Sequence, residues 1–471
     1  MSSIVLLPAL IAIYVLSKHS LQSAFLSVLV PVIFFLPMYY SWQIPSLPDL
    51  NFVGATTIPL ILAFLIRGMP GWRSSSTDLL VFTFAFVIGF SEYINTGYKS
   101  AQNLIAAMII SVIFPYVLAK SLIEPNGLRI EFVKRIVLTL FVVSLFLIHE
   151  SLTHSSYGIV QRILGGYVFQ GQGWKSVSLG RWGLSRAKGP FLHSIQAGII
   201  MMVGFLLQQW LEWNNAWSSS RLLGFPKGKV ISFVLFLGVL APISRAPWLG
   251  GLLAMSTIFS LSILFTFSRS PQSRYLLIVA FLGGTLVLGG LVQETLKQVI
   301  PVSREEVAGS SAEVQTVAYR FDLYKTYGTV VMERWMWGWG ALGWKENQRI
   351  GQRSIDNAFL LLALGHGLVS VISILIIFFY LIIRLFVHTV NYAPSDFPRS
   401  SVSLLLMAIF IHEMFCLATV SLNTNNMTML FMLFGWSDAY LRTRQPYFCS
   451  PSSVLRNPSH NKLEFKFHRT I

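Results

Sequence analysis

The fold class predicted by the sequence is all-α: a polytopic integral membrane protein of about thirteen transmembrane helices with two long extracytoplasmic loops. Three observations predict it. Of 471 residues, 54% are hydrophobic and only 11% charged, against roughly 25% charged in an ordinary soluble domain. Near-continuous apolar runs such as Leu79–Phe90, Leu104–Leu118, Ile136–Ile148 and Phe359–Leu385 recur along the chain, and a bilayer core requires about 20 apolar residues per helix. The basic residues, finally, gather in alternate connections between these runs.

Taken in order, the predicted helices are Ile4–Leu16, Leu21–Tyr40, Phe52–Ile66, Leu79–Ile94, Asn103–Leu118, Val133–His149, Phe191–Trp210, Val230–Ile243, Trp248–Phe267, Tyr275–Val292, Asn357–Val387, Val402–Leu422 and Met427–Leu441. The first lacks the basic flank and the small-residue cleavage site of a secretory signal, so it reads as a short retained span. The spans run the length of the chain, and residues 1–471 are read as a single membrane domain. Its features are a first outer loop at 150–190, a second, partly folded one at 293–356 and a cytoplasmic tail at 443–471.

Orientation follows from the basic residues. One set of connections carries Lys18, then Arg67 and Arg73, then Lys120, Arg129, Lys134 and Arg135. The same set continues with Arg221, Lys227 and Lys229, then Arg269 and Arg274, then Arg384 and Arg399, and the tail with Arg442 and Arg444. The short connections of the other set carry only Lys99 and Arg245. The first set is predicted to be cytoplasmic, which puts the amino terminus and both long loops outside. A net charge of +16 distributed in this way points to membrane lipids as partners and away from nucleic acid. Cys416 falls within a span and Cys449 in the tail, so no disulfide is expected.

The candidate chemistry concentrates in the outer loops. Beyond its boundary residue Glu150, the first loop holds Arg162, Lys175, Arg181, Arg186 and Lys188 with no acidic residue, and it ends in "SRAKGPFLH", which includes His193. Such a loop suits a phosphate or diphosphate headgroup, which arginine grips in a bidentate fork; general attraction to anionic lipid is the simpler reading. Arg245 sits in "APISRAPWLG", a short outer turn, where a permanent charge is either snorkelling or partnered. The second loop is balanced, with eight basic and eight acidic residues. It contains Arg320 and the run "WMWGWGALGW", read as a membrane-interface belt of Trp335, Trp337, Trp339 and Trp344, or alternatively as a sugar-stacking platform.

"DNAFLLLALGHGL" then opens a helix, with Asp356 and Asn357 at its mouth and His366 about 15 Å further along an uninterrupted axis. Asp356 alone fits a helix N-cap as well as a functional carboxylate. His412 and Glu413 fall mid-span; "HEMFC" lacks the second histidine of a zinc-protease motif, so a pair bracing neighbouring helices is expected, with no metal. No P-loop, GxSxG, paired CxxC or DxD occurs, so an enzyme of this composition would act without nucleotide, metal or other cofactor on a substrate already in the membrane.

These motifs, in this order across Arg181–Ser370, resemble the O-antigen ligase and polysaccharide polymerase-like membrane glycosyltransferases. The family's arginine followed by three residues and a leucine is similar to Arg245 through Leu249. Its histidine followed by ten residues and a glycine is similar to Asp356 through Gly367, with Asp replacing His, which fits the polymerase branch better than the ligase branch. The resemblance implies a metal-independent, inverting transfer from a polyprenyl-diphosphate-linked saccharide to a glycan or lipid-linked acceptor at the outer face of the bacterial cytoplasmic membrane. Other polysaccharide-assembly proteins would be its partners. On that reading Asp356 is the catalytic base, Arg186, Arg245 and Arg320 hold the diphosphate, and Arg181, Lys188, His193, Asn357 and His366 are accessory. The rival class is a transporter of lipid-linked saccharide; a structural membrane scaffold is a third reading.

Overall fold

The structure is a computed structural model describing residues 2–38, 40–43, 47–153, 183–217, 221–222, 224–268, 270, 272–274, 323, 326–341, 343, 355, 357–394, 398–420 and 424–443. The helices among these residues are α1 (Leu7–Lys18), α2 (Leu21–Phe35), α3 (Phe52–Ile66), α4 (Ser76–Thr96), α5 (Tyr98–Asn126) and α6 (Arg129–Thr153). They continue with α7 (Ser194–Trp213), α8 (Lys227–Leu240), α9 (Arg245–Phe267), α10 (Ala358–Tyr392), α11 (Val402–Leu417) and α12 (Thr424–Arg442). Each coincides with a predicted span; the remaining one, Tyr275–Val292, lies outside the described residues. Six of them, α4, α5, α6, α7, α9 and α10, are long and apolar enough to cross a membrane. Their outward faces carry side chains that only lipid would cover, such as Phe86 at 64% and Leu252 at 64% exposure.

Several boundaries differ from expectation for local reasons. Helix α2 stops at Phe35 instead of Tyr40, because Leu36 precedes Pro37 and takes an extended conformation (φ −100°, ψ 143°) that a following proline favours. Two prolines inside helices follow π-turns, whereas Pro59 in α3 does not. Phe25–Leu29 precedes Pro31 in α2, and Ile109–Ile113 precedes Pro115 in α5. A proline has no N–H to give the preceding turn, and the wider turn accommodates its ring. Helix α9 begins at Arg245 itself, so that arginine heads a helix instead of lying in a turn.

Helix α12 forms the axis of the packing: every residue from Asn425 to Ala439 is buried, the polar Asn425, Asn426, Thr428, Ser437 and Asp438 included. It lies closely on α5, where a Cβ at Gly435 would meet the Tyr116 carbonyl oxygen at 2.2 Å. Small residues permit such backbone approach where no hydrophobic force distinguishes helix from lipid.

Long-range contacts divide the helix ends into two sets. At one end Thr77 donates to Asp438 at 2.7 Å, and Lys120 bridges Asp78 and Asp438. Arg442 donates to the carbonyls of Arg73 and Ser74, and Arg129 forms a two-pronged pair with Glu124 at 2.9 and 2.7 Å. At the other end Ser185 meets Ser151, Ala187 meets Ala241, and Asn357 meets Ala418. Basic residues of several connections, Lys120, Arg129 and Arg442 among them, gather at the first end, the end that the charge count predicts to be cytoplasmic.

Candidate functional site

The predicted outer end holds a site built from four helix termini. Residues 185–189, the "SRAKG" of the first loop, run as a strap across it. Ser185 N–H donates to the Ser151 carbonyl at the end of α6 (3.1 Å), and Ser151 Oγ donates back to the Ser185 carbonyl (3.0 Å). Ala187 N–H donates to the Ala241 carbonyl after α8 at 3.3 Å. The Glu150 carboxylate, buried at 5% exposure, accepts from the N–H groups of Gly189 (2.8 Å) and Lys188 (3.3 Å). Backbone satisfaction of this kind is obligatory for a buried segment and holds the strap in register.

That register sets Arg186. Its Nη2 donates to Ser244 Oγ at 3.1 Å, and Ser244 in turn donates to the Pro242 carbonyl at 3.4 Å. Ser244 immediately precedes Arg245, the first residue of α9, so the Arg186 guanidinium is held against the residue that leads into that helix. Arg186 is half-buried and Arg245 exposed. Lys188 lies in the same strap; burial draws its ammonium below the usual lysine range, with Glu150 opposing the shift.

The other predicted residues divide. His193 is exposed and caps α7 by accepting from Ile195 N–H at 3.4 Å. Asn357, 4% exposed, caps α10 by accepting from Leu360 N–H at 2.9 Å and donates to the Ala418 carbonyl at 2.7 Å, beyond α11. The same end of α11 approaches α9, since Cys416 Sγ lies 3.8 Å from the Ala246 carbonyl. The end of α11 therefore touches both the first turn of α9 and Asn357 at the head of α10. Asp356, Arg320 and Arg181 lie outside the described residues, as does Trp344.

His366 belongs to a second cluster. Helix α10 is interrupted at Gly367, whose φ of 77° and ψ of 172° suit glycine alone; the segment from Asn357 to His366 is continuous, so the histidine stands about 15 Å along it, directly before the break. The break frees the carbonyls of Leu364 and Gly365 and the N–H of Leu368. The tryptophan-glycine run closes it: Trp339 N–H donates to the Leu364 carbonyl (2.9 Å), Gly340 N–H to the Gly365 carbonyl (2.8 Å), and Leu368 N–H to the Trp335 carbonyl (2.6 Å). "WMWGWG" is therefore a plug in a broken helix in addition to its aromatic exposure, with Trp335 49% exposed.

Helix α4 supports the plug. Ser91 Oγ donates to the Trp337 carbonyl at 2.6 Å, Asn95 Nδ2 to the same oxygen at 3.2 Å, and Ala341 N–H to Glu92 Oε2 at 2.7 Å. His366 Nδ1 lies 3.3 Å from Ser91 Oγ and 3.9 Å from Glu92 Oε2. Glu92 was passed over in the sequence, although an acidic residue inside an apolar span is itself a functional signal. Glu150, Ser91 and Ser244 carried no such signal; only the fold gives them neighbours.

His412 and Glu413 are fully buried in α11. Gly250 makes room for the imidazole, since a Cβ there would stand 2.7 Å from His412 Nδ1. The imidazole thus packs into α9, whereas neither Glu413 oxygen has a hydrogen-bond partner among the described residues, so only the histidine half of the expected brace is seen. Among the described residues no group of three or more His, Cys, Asp or Glu side chains could hold a metal ion. Comparison of the chain with protein-family models and with curated proteins gives no match in either.

Proposed function

We propose that the protein is a membrane glycosyltransferase that moves a saccharide from a polyprenyl-diphosphate-linked donor to a glycan or lipid-linked acceptor, in polymerisation or ligation of a surface polysaccharide. The observation that carries the reading is the hydrogen bond that holds Arg186 on Ser244, the residue before Arg245 at the head of α9. With Arg245 turned to the same ligand, two guanidinium groups and a helix amino terminus would form a preorganised cation where a leaving diphosphate develops charge. The head of α10, with Asp356 in the sequence just before Asn357, would supply the carboxylate that takes the acceptor hydroxyl proton. The acceptor oxygen would then attack the anomeric carbon as the carbon–oxygen bond to the diphosphate breaks, with inversion. The extracytoplasmic face of a bacterial cytoplasmic membrane is the setting this chemistry requires.

A transporter is favoured by one feature, the interruption of α10, because transport folds expose broken helix ends to their cargo. Here the freed backbone groups are occupied by residues 335–340, which leaves them no cargo to bind and weighs against that reading. The test of the proposed transfer is reconstitution with a polyprenyl-diphosphate-linked oligosaccharide. Arg186→Ala and Arg245→Ala should each abolish product at unchanged protein level, and lysine should rescue poorly for lack of the fork. Full activity in either alanine variant removes that residue from the site. Deletion in the host separates the branches: single unpolymerised repeats mean polymerase, and lipid-linked polymer lacking its final acceptor means ligase.

A further inference from the structure

The hydrogen-bond directions around His366 determine which of its ring nitrogens carries the proton. Ser91 Oγ has one hydrogen, and the 2.6 Å contact to the Trp337 carbonyl consumes it, because a carbonyl oxygen can only accept. In its 3.3 Å contact with His366 Nδ1, Ser91 must therefore accept, so Nδ1 bears the hydrogen. Glu92 Oε2, 3.9 Å from Nδ1, favours the same tautomer electrostatically. Neutral imidazole then has a bare lone pair at Nε2. Nε2 makes no hydrogen bond among the described residues, although the side chain is 9% exposed.

A buried ring held on one side by a serine and a carboxylate, with its other nitrogen available, is arranged to accept from a hydroxyl-bearing ligand. We propose that His366 Nε2 binds a sugar hydroxyl, with Ser91 and Glu92 as positioning residues that set the tautomer. The site lies at the break in α10, in one helical segment with Asn357. Under the proposed function this ligand is the acceptor saccharide, reaching from the head of α10 along residues 358–366; the inference rests on that reading only for the identity of the sugar. The break is also what makes such a site possible, because it lets a plug of backbone carbonyls, Trp337 among them, approach α4 and fix the serine's direction.

The experiment uses the full chain in detergent, with 15N-imidazole spectra and the His366 signal assigned by its loss in His366→Gln. The expected result is a bare Nε2, converted toward the opposite tautomer by Ser91→Ala. Titration with octyl β-glucoside, which presents sugar hydroxyls at the membrane surface, should shift the Nε2 resonance; a hydroxyl-free detergent should leave it in place. A bare Nδ1, or an Nε2 signal indifferent to the glucoside, overturns the proposal. In the transfer assay, His366→Gln should raise the acceptor KM about tenfold, the worth of one hydrogen bond, with kcat little changed. Loss of kcat at unchanged KM would overturn the assignment to acceptor binding. A correct tautomer and glucoside shift in a chain that turns over no lipid-linked donor would uphold the sugar site and refute the transferase reading.

Discussion

Replacing Gly367 by alanine tests the helix break and its plug together. The glycine adopts φ 77° and ψ 172°, a region essentially closed to other residues and costing on the order of 1–3 kcal/mol. Its added Cβ would stand 2.1 Å from the Met336 carbonyl oxygen and 2.6 Å from Trp337 N, both backbone atoms that cannot rotate away. The plug must then withdraw, and the hydrogen bonds of Trp339, Gly340 and Leu368 go with it. At roughly 0.5–1.5 kcal/mol net for each, the total loss is about 3–7 kcal/mol. Thermal unfolding of the purified chain in lipid nanodiscs reads the loss, with limited proteolysis near Trp337 reporting release of the plug. Gly328→Ala is the control, since a Cβ there meets nothing within 4 Å. If Gly367→Ala melts with the native protein and its proteolysis is unchanged, the plug is not held by the break and the reasoning fails.

Further outcomes follow from the same structure. Lys120→Met should destabilise the chain by about 3–5 kcal/mol, because it leaves the Asp78 carboxylate buried without its cation and Asp438 with Arg442 alone; adding Asp78→Asn and Asp438→Asn should recover most of the loss, and a triple variant no more stable than the single one would refute the pairing. Asp356→Asn should lower turnover at least about 100-fold without weakening donor binding, and Asp356→His should keep partial activity; full turnover in the asparagine variant would remove Asp356 as the base. Cysteine at Ser176 should react with a membrane-impermeant label on intact cells and cysteine at Ser452 only after permeabilisation; labelling of Ser452 on intact cells would invert the topology.

The sequence by itself determined the helix positions among the described residues, because a bilayer leaves an apolar run of sufficient length little choice but to form a helix. It also marked Arg186, Arg245, Asn357 and His366 as worth attention, since charged or imidazole groups at the ends or interior of apolar spans are costly and rarely idle. Only tertiary structure decided their company. That Arg186 meets Ser244 depends on a strap held by Glu150, and no periodicity relates residues 186 and 244. The break directly after His366 escaped the sequence for a similar reason. The glycine at 367 was legible as a residue but not as an interruption. A glycine within an apolar run is compatible with either, and what selects the break is the distant segment 335–340 that satisfies the backbone groups it frees.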